Sequence, residues 1–266
     1  MSICDSFQHD QYDELCKHHP ANGYFWEFSN DELGSFELGY RESLLSDIIK
    51  ALDIKDDDVF IDFSNGVHTW AALIKQKSGI QNDVYCMGTP LRTLPDCMKK
   101  AGCIPLYTSA VNLDSSKIRR HGINKCLINE SILLYFNNEE RISFFHSLFN
   151  TLPVHSKIVV LMRPQFVQLP LFELARKAFA NSRPSPEQIL DEAKAIGFQT
   201  QIHIENYKSS ITKNEWLRVL RSGYFSALSC LTNEQIEKGI EMLELQFKQQ
   251  SEILVKDAWV TIAFVK

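Results

Sequence analysis

Five short apolar runs constrain this chain more than any other feature. VFIDF (59–63), DVYCM (83–87), IPLYT (104–108), KCLINE (125–130) and KIVVLMR (157–163) are each of strand length and bounded by polar or turn residues. Runs without strict alternation belong to strands covered on both faces, the situation of a parallel sheet under helices. Helical spacing supplies the cover. It is predicted over Thr69 to Lys77, Leu91 to Ala101, Glu139 to Leu152 and Pro186 to Ile196, the last closed by Gly197 as a C-cap. An earlier helix is expected from Ser35 to Leu52, where Phe36, Tyr40, Leu44, Leu45, Ile48, Ile49 and Leu52 recur at helical intervals, and the DDD at 56–58 makes a polar turn after it. FQTQIHIENY (198–207) alternates as an antiparallel strand would, helical stretches follow over 213–222 and 232–250, and AWVTIAFVK (258–266) is the last strand. The predicted fold is α/β: a doubly wound, mostly parallel seven-stranded sheet with an antiparallel strand near its C-terminal end. Residues 1–34 read as a helical N-terminal cap rich in aromatics, and residues 35–266 as the main domain, carrying a helical insert at about 208–252.

Composition leaves several partners without support. The net charge of -5 and pI near 5.9 come with scattered Lys and Arg, so there is no basic stripe of the kind that tracks nucleic acid. No apolar run has the length of a membrane-spanning helix, and MSICDSFQHDQYDEL is too polar for a secretory leader. Seven cysteines, an odd number without a CxxC pair, point to free thiols in a reducing compartment, hence a cytoplasmic protein. His18-His19-Pro20 has no Cys or carboxylate at ligand spacing, so no metal is expected.

The turn after the first strand carries the chemistry. It reads Asp62-Phe63-Ser64-Asn65-Gly66-Val67-His68, an acid at the strand end followed by a turn with a central glycine. Further along stand KCLINESILLYF, PVHSKIVVLMRP, AIGFQTQIHIENY and DAWVTIAFVK. In order and spacing these segments resemble the class I S-adenosylmethionine-dependent methyltransferases, from roughly Gly39 to the C-terminus. The stretch from Trp216 through Arg221, Tyr224, Phe225 and Ser226 resembles the C-terminal part of small-molecule members. The resemblance implies a Rossmann-like methyltransferase fold and S-adenosyl-L-methionine as cofactor. A GxGxxG pattern is absent, which disfavours a nicotinamide cofactor.

Carried over position by position, the resemblance places Asp62, Ser64, Asn65, Gly66 and His68 around the cofactor. The family's turn has three glycines; here Gly66 is the middle one, and Ser64 and His68 hold the other two places. The acid that ends the second strand in the family, and accepts from both ribose hydroxyls, corresponds to Gly88 with Thr89 beside it. The acid after the third strand corresponds to Ser109, and the one before the fourth to Lys125. Asn129 and Glu130 end the fourth strand, where ligands bind in open α/β sheets.

Most of these residues have a structural alternative. Asp62 either faces the cofactor or caps the next helix. Gly66 serves the turn with or without a ligand. His68 lines the pocket or simply starts a helix, and Glu130 is either a ligand contact or a loop carboxylate. Arg163 holds a substrate carboxylate or is a surface charge before Pro164. Tyr24, Trp26 and Tyr40 are candidates for a lid over the acceptor, or for packing. No catalytic acid or base stands out, and methyl transfer from a sulfonium requires little beyond alignment. Two functions therefore remain: a methyltransferase with a small-molecule acceptor, and a catalytically inactive relative that uses the sheet as a binding or partner subunit.

Overall fold

The computed structural model describes residues 40–63, 70–88, 99–107, 113–133, 136–222 and 224–266. Among them the chain divides into two compact units. One comprises those within 41–164, 184–206 and 258–266; the other comprises Tyr40 and those within 165–183 and 207–257.

The strands of the first unit come in the predicted order; the helix at Ser115–Arg120 is an addition to the sequence reading, and residues 91–98 of the helix predicted over Leu91 to Ala101 lie outside the described residues. Helix α1 (Arg41–Leu52) precedes strand β1 (Phe60–Asp62), helix α2 (Trp70–Ser78) and strand β2 (Val84–Gly88). Strand β3 (Ile104–Tyr107), helix α3 (Ser115–Arg120) and strand β4 (Lys125–Asn129) come next, and the one-turn helix α4 (Glu130–Leu133) follows β4 directly. Helix α5 (Asn138–Thr151) and strand β5 (Lys157–Met162) complete this run. Helix α7 (Pro186–Ile196) belongs to the same unit.

Local chemistry sets these boundaries. Asn137 and Glu140 form a reciprocal capping box at the start of α5. Ser185 caps α7 ahead of Pro186. At the other end of α7, Gly197 takes φ 114°, a left-handed value that costs glycine nothing.

With β6 (Gln199–Thr212) and β7 (Glu252–Val265), the strands form one seven-stranded sheet in the order β3-β2-β1-β4-β5-β7-β6. β1 pairs in parallel with β2 and β4, β2 with β3, and β4 with β5. The final strand β7 (Glu252–Val265) runs antiparallel to β5, with Ile158 opposite Phe264 and Met162 opposite Val260. This is the doubly wound, mostly parallel sheet read from the sequence. Its core holds Ile61, Phe63, Leu148, Val160, Ile262 and Phe264, all fully buried. Phe144 and Phe145, at most 1% exposed, pack edge-on against Phe63 and Phe264 respectively.

Two strands are longer than predicted. Strand β6 spans Gln199–Thr212, and β7 starts at Glu252 rather than at 258. Both extensions alternate, with Ser209, Ile211, Ile253 and Val255 buried between exposed neighbours, and Lys213 N donates to Ser251 O across them. Mixed polar composition hides that alternation from an apolar-run search. Between them the insert is helical as α8 (Lys213–Arg221) and α9 (Asn233–Gln246), with a 3₁₀ turn at Ser226–Cys230.

In the second unit, helix α6 (Glu173–Asn181) joins α8 and α9. Trp216, wholly buried, donates its Nε1 proton to Pro170 O at 2.8 Å. Phe225 packs edge-on against Phe179, Trp216 and Tyr224. Gly239 lies so close to Phe172 that a Cβ would sit 2.3 Å from the ring, which makes a side chain there incompatible with this packing. Among the described residues no helix is long and apolar enough to cross a membrane.

Candidate functional site

From β1 the chain moves outward through β2 and β3, then returns to β4 on the other side of β1. The carboxyl ends of β1 and β4 therefore flank the point where the winding reverses, and open α/β sheets bind ligands in that crevice. Asp62 is the last residue of β1 and Asn129 the last of β4; both are 1% exposed.

Asp62 receives a hydrogen bond at Oδ2 from Ala71 N, 3.2 Å away in the first turn of α2. Its helix-capping role is thus present in the structure, and the positive end of a helix suits a buried anion. Strand pairing sets Asp62 opposite Cys86 on β2. The neighbouring Cys103, burial and the nearby Asp62 push the Cys86 thiol upward. β2 then ends in Gly88, which offers only backbone groups at the edge.

Beyond β4, Glu130 opens α4, and Arg163 follows β5 immediately. Both are buried, at 8% and 4% exposure. Arg163 donates its backbone N–H to Glu130 Oε2 at 2.8 Å and its Nη1 proton to Oε1 at 2.9 Å. The guanidinium carbon stands 3.9 Å from the centroid of the Trp259 ring, so carboxylate and aromatic face hold the cation from two directions. Glu130 is thus a paired carboxylate, and Arg163 is a buried group rather than a surface charge.

Asp62, Gly88, Asn129, Glu130 and Arg163 accordingly share the carboxyl edge of one sheet. Tyr40 lies in the other unit, where its hydroxyl donates to Asp257 Oδ2 at 2.6 Å and its ring stacks on Tyr207 at 4.9 Å. Ser64, Asn65, Gly66, His68, Thr89, Ser109, Tyr24 and Trp26 lie outside the described residues.

Two aromatic residues of this unit escaped the sequence reading. Trp259 is read there only as part of a strand, and nothing local marks it as a partner for a cation 96 residues earlier in the chain (259 minus 163). Trp70, 4% exposed, opens α2, and its Nε1 is buried without a hydrogen-bond partner among the described residues. Lys125, which corresponds to an acid of the family, lies at the opposite edge. Its Nζ is 3.4 Å from Asp58 Oδ2 and 3.0 Å from the carbonyls of both Leu52 and Asp53. It closes the end of α1 and faces no ligand crevice.

Solved structures share this architecture. The chain superimposes with a TM-score of 0.58 on phosphoethanolamine N-methyltransferase 2 of Haemonchus contortus, in complex with phosphomonomethylethanolamine and S-adenosylhomocysteine. Identity there is 16%, over 96% of this chain and 60% of that one, so the chain spans about three fifths of that relative. A SAM-dependent methyltransferase from Archaeoglobus fulgidus gives a TM-score of 0.51 at 14% identity, with 91% and 99% of the two chains covered. The fold is that of the class I methyltransferases.

That fold also matches the [4+2]-cyclase SpnF, at a TM-score of 0.54 and 11% identity, over 96% of this chain and 94% of the cyclase. A methyltransferase fold therefore does not by itself specify the reaction. No protein-family model matches the sequence, and neither does any curated protein.

Proposed function

We propose that this protein binds S-adenosyl-L-methionine at the carboxyl edge of the sheet and transfers its methyl group to a small-molecule acceptor. The observation that carries the reading is the buried Asp62 carboxylate at the end of β1, beside the reversal point and at the start of α2.

The donor set can be tested against the chemistry of the cofactor. Its amino-acid end carries an ammonium group, and a carboxylate only 1% exposed suits that cation. Its ribose diol asks for acceptors at the end of β2, where Gly88 brings no side chain. The residues thus fit the amino-acid end, and ribose must rely on backbone groups or on Thr89. Asp62 and Asn129 are the side chains assigned to hold the donor, together with Ser64, Asn65, Gly66, His68 and Ser109 from the resemblance.

Bound there, the sulfonium supplies the methyl group. The chain's own task is to align an acceptor in line with it and to exclude water, which accounts for most of such a rate enhancement. Glu130 and Arg163 act as a rigid, pre-paired wall, with Arg163 the group nearest in kind to an anion receptor. A small acceptor agrees with the absence of a basic stripe in the sequence.

Incubation of the protein with methyl-labelled S-adenosylmethionine and a pool of small metabolites tests this directly. Label should pass to a low-molecular-mass product. Cofactor binding with no transfer to any acceptor leaves the inactive binding subunit as the better account.

A further inference from the structure

The two outer strands of the sheet are built differently. β3 is four residues long and contains Pro105, and a short strand with a proline resists further pairing. β6 is fourteen residues long, has no proline, and ends the sheet on the other side. Gln201, Ile202, His203, Ile204, Glu205 and Asn206 are all exposed, an unbroken open edge. Ile202 and Ile204 are 42% and 54% exposed and, two residues apart, lie on one face of the strand. Natural edges usually interrupt such apolar pairs with charge.

Symmetry decides which partner fits. If two copies of β6 run antiparallel about a two-fold axis through Ile204, residue 203 of one copy stands opposite 205 of the other. His203 then meets Glu205 twice, once on each side of the axis. The same pair is compatible within one chain, where His203 Nε2 lies 2.8 Å from Glu205 Oε1. On the opposite face Ile204 meets its own copy, with both Ile202 side chains diagonal to it, so four isoleucines make one stripe. The sequence is therefore complementary to itself in both polarity and apolar content.

We infer that this edge is a self-association surface: two copies join antiparallel through residues 202–206 of β6, centred on Ile204, and the sheet becomes continuous across the dimer. Main-chain hydrogen bonds and the isoleucine stripe supply the affinity, and the His203–Glu205 crossing fixes the register.

Sedimentation of the full chain over about 1 to 300 µM, with Ile204→Lys beside it, tests this. The wild type should show a concentration-dependent monomer–dimer equilibrium, and Ile204→Lys should raise the dissociation constant at least about tenfold. His203→Glu sets carboxylates opposite one another and should also dissociate the dimer, whereas the exchanged pair His203→Glu with Glu205→His should restore it. Each variant's thermal midpoint, measured at a concentration where the wild type is monomeric, should match the wild type, because these side chains are exposed. A wild type that stays monomeric throughout overturns the inference. So does a dimer that ignores both Ile204→Lys and His203→Glu, since it must use another surface, and so does association that appears only with a different protein.

Discussion

Two buried ion pairs sit at opposite edges of the same sheet, and they differ in what surrounds them. At the amino edge Lys125 faces Asp58 at 3.4 Å and two main-chain carbonyls at 3.0 Å. Asp58 in turn accepts from Lys55 N at 2.7 Å and from Asn124 Nδ2 at 2.6 Å. Each group there is satisfied by backbone or by neighbours that are themselves fixed, as a structural clasp requires. At the carboxyl edge Glu130 and Arg163 hold each other, and the guanidinium also lies over the Trp259 ring. Ligand chemistry belongs to that second edge by topology, since parallel strands present their carboxyl ends to the crevice. A buried charge pair alone does not identify a site; its edge of the sheet does.

Substitutions that keep shape and remove charge separate the two roles. Lys125→Met should have the largest effect on folding, a loss of about 3 kcal/mol, because Asp58 and the carbonyls closing α1 lose their cation together. Chemical denaturation reads the loss, and affinity for S-adenosylhomocysteine measured on the folded fraction should not change. Glu130→Gln should cost less, about 2 kcal/mol, because Gln still accepts one bond from Arg163 and the Trp259 face remains. Its distinguishing mark should be a roughly tenfold loss of ligand affinity. Equal binding losses in both variants would dissolve the contrast between the edges.

The smallest effect concerns Tyr85, near the amino edge. Burial, then its hydrogen bond to Asp83 and that residue's charge, pushes the Tyr85 hydroxyl up to about 12 from 10.0. The folded protein thus holds the proton more tightly than the unfolded chain. This contribution to stability is complete below pH 10 and is lost as pH rises from there to about 12. Denaturation midpoints across that range should fall in the wild type and flatten in Tyr85→Phe. Identical slopes would remove Tyr85 as the source of this pH dependence.

The sequence exposed most of the sheet and less of the site, for physical reasons. KIVVLM and KCLIN are covered on both faces, and such runs are legible because every position is apolar or nearly so. β6 and the start of β7 are half-exposed, so their alternation is diluted by polar residues and their ends were missed. α6 is not legible in the sequence either, since only Ala175, Ala178 and Phe179 of its nine residues are buried. Asp62 was readable because an acid at a strand end before a glycine turn is a local pattern. The pairing of Glu130 with Arg163 was not, because the partners follow different strands and meet only through the β4–β5 register. Trp259 is harder still, coming from an antiparallel strand whose register no local signal records.

The central claim is that the carboxyl edge around Asp62 holds the donor. Calorimetric titration of the purified chain with S-adenosylhomocysteine, repeated with Asp62→Ala, addresses it most directly. The account predicts saturable micromolar binding to the wild type and a loss of at least about tenfold in the variant, the scale of one buried charged hydrogen bond. No binding to the wild type at millimolar ligand, or equal affinity in the two proteins, would contradict it.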